Sequence, residues 1–222
     1  MMAEMGQGGT SGGCDGAEVV VLDFETSGVS PLSGDRAIEI GAVVLRGGEI
    51  VERYQSLMNP GIRISSFIEN YTGITNAMVQ GAPPAAQVME AFHHFIGDRP
   101  LVAHNASFDS RFLDAELDRI RRRRRQDFAC SMLAARRVYP EAPNHKLATL
   151  VRHKGLPTDG SFHRALADAE MTGHLWLRME EDLRRAYGFR HVPFDLMRSL
   201  AAVKKVRVPA FLKERAEEQG AP

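Results

Sequence analysis

Cysteine, tryptophan and net charge are all scarce in this chain of 222 residues, which has two Cys, one Trp and 28 Lys/Arg against 28 Asp/Glu. Cys14 and Cys130, far apart in sequence, make neither a disulfide framework nor a zinc site, and this usage points to a reducing cytoplasm. No run of 18 apolar residues occurs, so no membrane-spanning helix is expected. The opening MMAEMGQGGTSGGCDGA is Gly-rich and polar where a secretory signal would carry an apolar core. No internal repeat is present, which excludes a solenoid. What is there is the composition of a globular domain, 44% apolar, 25% charged and 7% aromatic.

The zero net charge conceals a division. Residues 1–90 carry 4 Lys/Arg against 11 Asp/Glu, and the rest carry 24 against 17. Such a split suggests a basic approach surface around an acidic site. Residues 1–16 have too little apolar content to pack and read as a disordered tail. Residues 18–23 form a short apolar run ending in acid, and 36–45 alternate before a Gly47-Gly48 turn into 49–58, the pattern of a strand followed by a hairpin. Helical spacing of Val88, Met89, Phe92 and Phe95 predicts a helix over 85–96. A buried strand at 101–103 precedes a second helix with Phe108, Phe112, Leu117 and Ile120 on one stripe. Another strand near 127–130 leads to a helix over 131–138, and a short helix is expected at 146–153. The longest helix opens near His163 and carries Leu166, Ala169, Trp176, Met179 and Leu183 on one face up to Gly188. These elements predict an α/β domain at 17–187, a mixed five-stranded sheet flanked by helices. A basic section at 188–222 follows, with amphipathic segments at 194–203 and 208–218.

Three segments carry chemistry. Asp23-Phe-Glu25 ends an apolar strand, and residues two apart in a strand face the same way, so both carboxylates converge. Crowded anions repel unless something positive sits between them. In His104-Asn-Ala-Ser-Phe-Asp109 a strand passes into a helix with the acid in its first turn, where the helix dipole also favours it. In His163-Arg-Ala-Leu-Ala-Asp168 the five-residue spacing separates the side chains by about 140° on a helix, so His163 reaches Asp168 only from a loop or the first turn. Four acids and one histidine suit two-metal phosphodiester hydrolysis. Oxygen donors favour Mg²⁺ or Mn²⁺, and a histidine titrating near neutrality can take a proton from water.

The ordered set Asp23-x-Glu25, His104-Asn-x-x-Phe-Asp109 and His163-x-x-x-x-Asp168 resembles the DEDDh (DnaQ-like) 3′-to-5′ exonucleases. The resemblance extends from about residue 19 to 179 and includes Ile38-Glu-Ile-Gly41, Asn59-Pro60, Thr72-Gly-Ile-Thr75 and Asn144-His-Lys-Leu147. It is strongest toward the proofreading epsilon subunits of bacterial DNA polymerase III and their stand-alone relatives. It implies a ribonuclease-H-like fold and release of nucleoside 5′-monophosphates from single-stranded or frayed DNA 3′ ends. Asp23, Glu25 and Asp168 would hold one divalent cation, Asp23 and Asp109 a second, and His163 would be the general base. Phe24 and Thr26, through their backbones, would face the terminal nucleotide, and Asn105 and Phe108 lie where relatives meet the strand. Phe24 between the acids and Ser27 after Thr26 depart from the commoner residues, at positions that bear on packing. RNA 3′-end trimming and a non-catalytic, polymerase-associated binding module are the rival readings.

Other features keep two readings each. The run 119–125, Arg-Ile-Arg-Arg-Arg-Arg-Arg, is either a phosphate contact or a solvated helix end. Segment 188–222 is either a strap on the protein's own core or a docking element for a polymerase subunit. His104 either serves the site or fixes a turn. Cys130 and Trp176 read as packing residues.

Overall fold

A computed structural model describes residues 17–158 and 164–220. The tail expected at 1–16 and the histidine at position 163 lie outside the described residues. Five strands, β1 (Val19–Thr26), β2 (Ala37–Arg46), β3 (Glu49–Leu57), β4 (Leu101–Ala103) and β5 (Phe128–Cys130), form one sheet in the order β3-β2-β1-β4-β5. The first three pair antiparallel, while β4 and β5 join parallel to β1, so the sheet is mixed. Nine helices are described: α1 (Ser66–Thr72), α2 (Asn76–Gly81), α3 (Ala85–Ile96), α4 (Ser107–Arg119), α5 (Ser131–Val138), α6 (Leu147–Lys154), α7 (Ala165–Tyr187), α8 (Phe194–Leu200) and α9 (Val208–Glu218).

The two faces of β1 pack into different cores. Val20, Leu22 and Phe24 meet Ile40, Ala42 and Val44 under α3 and α4. Val19 and Val21 meet Val43 and Leu45 under the helices that follow β5. β1 and β2 are buried on both faces, whereas β3 is the exposed edge. Helices cover both faces of β2. Asp23 and Glu25 share the face of Val19 and Val21, the face that α7 crosses.

α4 and α7 are held to the sheet by buried carboxylates. Glu116 on α4 takes a forked ion pair from Arg36, Nε to Oε1 at 2.7 Å and Nη2 to Oε2 at 2.9 Å, and accepts the Ala37 N–H at 3.2 Å. α7 lies against β2 so closely that a Cβ built on Gly41 would fall inside the van der Waals shells of the Leu166 nitrogen and the Ala165 carbonyl. Glycine at 41 is therefore a packing requirement for the start of α7.

Segment 188–220 folds back onto this core. Phe189, Leu196, Met197, Leu200, Val208, Leu212 and Ala216 are buried in the α7-side cluster, and Phe194 packs on Trp176 with ring centroids 6.2 Å apart. Arg137 fastens the strap by donating to the Val203 and Ala201 carbonyls at 2.7 and 3.2 Å. The apolar stripes of α8 and α9 are thus largely occupied by the chain itself, as a strap requires, while Val206 between them stays exposed.

Candidate active site

β1 and β4 run parallel and end at the same edge of the sheet, so the turn after β4 and the first turn of α4 come to rest beside the end of β1. α7 begins over the same edge because Gly41, opposite Asp23 in the β1–β2 ladder, lets it approach. Three elements therefore deliver acids to one place. Carboxylate oxygens of Asp23, Glu25 and Asp168 lie within 4.8 Å of one another. Asp109 joins them from α4, its Oδ1 accepting the Phe24 N–H at 3.2 Å, between the two acids of β1.

Electrostatics record the crowding. Burial, then the charges of Asp109, Asp168, Glu25 and Glu39, push the Asp23 carboxyl far above the usual carboxylate range. Glu25 is raised to about 8 by burial and then by Asp168 and Glu39, with Arg164 opposing. Asp109 is raised to about 8 by burial, opposed by the hydrogen bonds it accepts. Oxygen-only donors that repel one another are the chemistry of a hard divalent-cation site, and the residues present fit one.

The expected substrate-side residues are arranged around the acids. The Phe24 ring is buried edge-on against Phe92, centroids 6.4 Å apart, and its N–H is taken by Asp109. Thr26 is buried and its hydroxyl donates to the Gly28 carbonyl at 2.6 Å. Asn105 is exposed at the turn after β4 with φ of 74°, left-handed backbone that a non-glycine residue adopts at a cost of about 1 kcal/mol or more. Phe108 is half-buried and packs on Phe112 at 4.9 Å between centroids.

His104 is a turn residue. Its Nδ1 bonds to Ser131 Oγ and its Nε2 to the His145 carbonyl, each at 2.9 Å, and burial lowers its pKa to about 4. The arginine run lies elsewhere. It starts in the last turn of α4, ten residues beyond Asp109 and so about 15 Å along the helix from the acids. Arg122 is paired with Glu90 and Arg124 with Asp114. This run therefore does not border the acids, because α4 carries it away from the edge where they meet.

Two acids in the fold were not singled out from the sequence. Glu116 falls on the buried stripe of α4 next to Phe112 and Leu113, a readable signal. Glu39 is fully buried on β2 opposite Glu25, and its sequence signals are an acid inside an otherwise apolar strand and its place in Ile38-Glu-Ile-Gly41.

Sheet order and the convergent acids define a ribonuclease-H-like nuclease domain. Residues 20–175 match the Exonuclease (RNase_T) family model. The chain belongs to this family, the DEDDh (DnaQ-like) 3′-to-5′ exonucleases. It is 42% identical over 165 residues to the PolC-type DNA polymerase III of Oceanobacillus iheyensis, covering 74% of this chain and 11% of that protein. The corresponding polymerase of Bacillus subtilis is 38% identical over 165 residues, 73% of this chain and 11% of the relative. The chain thus spans about a tenth of the length of these relatives. Among solved structures, Exonuclease X in complex with 5′ overhanging duplex DNA superposes with a TM-score of 0.64 at 27% identity, covering 82% of this chain and 99% of that one. The nuclease domain of 3′hExo, a DEDDh family member bound to rAMP, shares the fold with a TM-score of 0.64 at 23% identity, covering 74% and 92%. Among the described residues no helix is long and apolar enough to cross a membrane.

Proposed function

We propose that this chain hydrolyses the 3′-terminal phosphodiester of single-stranded or frayed DNA and releases nucleoside 5′-monophosphates with the help of two divalent cations, Mg²⁺ or Mn²⁺. The observation that carries this reading is the convergence of Asp23, Glu25 and Asp168 within 4.8 Å, with Asp109 bonded between the first two. Asp23, Glu25 and Asp168 would hold one cation, and Asp23 and Asp109 the other. When bound, two such ions polarise the phosphate and lower the pKa of water.

The chain's own groups supply the rest. His163 takes the proton from the attacking water, a role that suits an imidazole titrating near neutrality. The Glu25 carboxylate accepts the terminal 3′-hydroxyl, while the backbone of Phe24 and Thr26 lines the terminal nucleotide. Asn105 and Phe108, beside Asp109, flank the strand. Likeness to PolC-type DNA polymerase III supports DNA as the substrate and work alongside a polymerase. Such a partner could meet the exposed part of the C-terminal segment around Val206.

The test is mononucleotide release from 3′-labelled and 5′-labelled DNA and matched RNA, with Mg²⁺, Mn²⁺ or chelator. Metal-dependent shortening from the 3′ end, faster on DNA and lost in His163→Ala and Asp23→Ala, is expected. No release under any metal by folded protein, or more than about a tenth of wild-type activity in Asp23→Ala, would sink the assignment.

A further inference from the structure

Glu39 has no part in the reaction as written above, yet no part of it is exposed. It lies opposite Glu25 in the ladder, next to the Gly41–Asp23 pair. Its two oxygens receive four donors. Oε1 accepts from Gln55 Nε2 and Arg164 Nη2, both at 2.9 Å, and Oε2 accepts from Arg164 Nε and the Ala165 backbone N–H, both at 3.2 Å.

Ala165 opens α7, and Arg164, the residue that caps it, makes no side-chain cap bond of its own. A carboxylate from a neighbouring strand therefore supplies the acceptor that a helix start lacks and the charge its dipole favours. Asp168 stands in that same first turn. An ion pair serving only to glue α7 to the sheet could sit at any of its six turns. This one sits at the turn that carries a site carboxylate, and it adds a further anion beside Asp23 and Glu25, which raises both. Packing alone does not require that repulsion.

We infer that Glu39 is a positioning residue: by tying Arg164 and Ala165 to β2 it fixes the first turn of α7 and holds Asp168 in register with Asp23 and Glu25. This rests on the metal-dependent reading of the site.

The experiment is Mn²⁺ titration of the full chain without substrate, read by electron paramagnetic resonance, for wild type, Glu39→Ala, Glu39→Gln, Arg164→Ala and the double Ala variant. Mn²⁺ affinity should fall about 10–100-fold in Glu39→Ala, the scale of losing a group that orients a ligand. Glu39→Gln, which keeps an acceptor for the Ala165 N–H, should recover part of the loss. Arg164→Ala separates positioning from plain charge. Removing a cation would tighten Mn²⁺ binding if charge alone mattered, whereas loss of positioning weakens it. The double variant, with wild-type net charge, should stay as weak as Glu39→Ala.

Wild-type Mn²⁺ affinity in a Glu39→Ala protein that melts cooperatively overturns the inference. If that variant fails to fold, wild-type affinity in both Glu39→Gln and Arg164→Ala overturns it equally. A wild-type chain that binds no Mn²⁺ overturns the metal reading itself, and this inference with it.

Discussion

The acid cluster should make the metal-free protein lose stability as pH rises above neutrality. Glu25 and Asp109 both titrate near 8 in the fold, against ordinary values of 4.5 and 3.8. Between those limits the folded state holds protons that the unfolded chain has released, so stability falls with increasing pH. From pH 6.5 to 8 the two groups together cost on the order of 3 kcal/mol, and Asp23, raised further still, adds in the same direction. For a domain of this size that lowers Tm by roughly 6–12 °C. The window matters because His104, lowered to about 4, has the opposite sign: its contribution grows as pH rises from 4, is mostly made by 6.5 and is complete about one pH unit above that. Thermal melts in chelator at pH 6.5, 7, 7.5 and 8 would show the slope. Glu25→Gln should remove part of it, since Asp109 and Asp23 remain, while Glu180, raised to about 7 by burial, contributes equally to both proteins. Saturating Mn²⁺ should flatten the wild-type curve, since cation binding favours the ionised acids, and should act less on the variant. A wild-type Tm that is constant across this window in chelator, or an equal slope in Glu25→Gln, would refute the reasoning.

Three further outcomes are expected. Gly41→Ala should push α7 off β2, costing several kcal/mol in denaturant unfolding and at least about 100-fold in turnover; wild-type values for both would contradict the close approach described above. Deleting residues 188–222 strips buried Leu, Met and Phe side chains from the core, each worth about 1.5–3 kcal/mol, so the shortened chain should melt more than 10 °C lower and bind a hydrophobic dye, and an unchanged melt would count against the strap. His104→Ala should lower unfolding free energy by about 2 kcal/mol while leaving the pH–rate profile unmoved; a displaced acid limb in that profile would return His104 to the chemistry.

Much of the site was legible because its logic is local. Asp23 and Glu25 share a face by the two-residue period of a strand, and Asp109 sits in a helix first turn as expected, while α7 opens at Ala165, two residues later than expected, which puts Asp168 in its first turn. Helices α3 and α5 begin and end where the apolar spacing placed them. What could not be read depends on which elements meet. Alternation in β2 looks the same whether its second face meets water or helices, and only the sheet order shows that it is interior. The role of Glu39 is invisible until Arg164, 125 positions later, is seen to reach it. The arginine run has an obvious charge, but which end of α4 points toward the acids is decided by the parallel pairing of β4 with β1.

The Asp23–Asp168 juxtaposition also bears on when the domain becomes a nuclease. The two acids are 145 positions apart, and nothing in β1, β2 or α4 alone can bring them together. Closing so long a loop costs entropy before any contact repays it, so α7 docks only after the strands have something for it to dock on. A nascent or partly folded chain consequently holds Asp23, Glu25 and Asp109 without their fourth member. By that entropy, nuclease activity should return later in refolding than the sheet itself, as stopped refolding assays would read it.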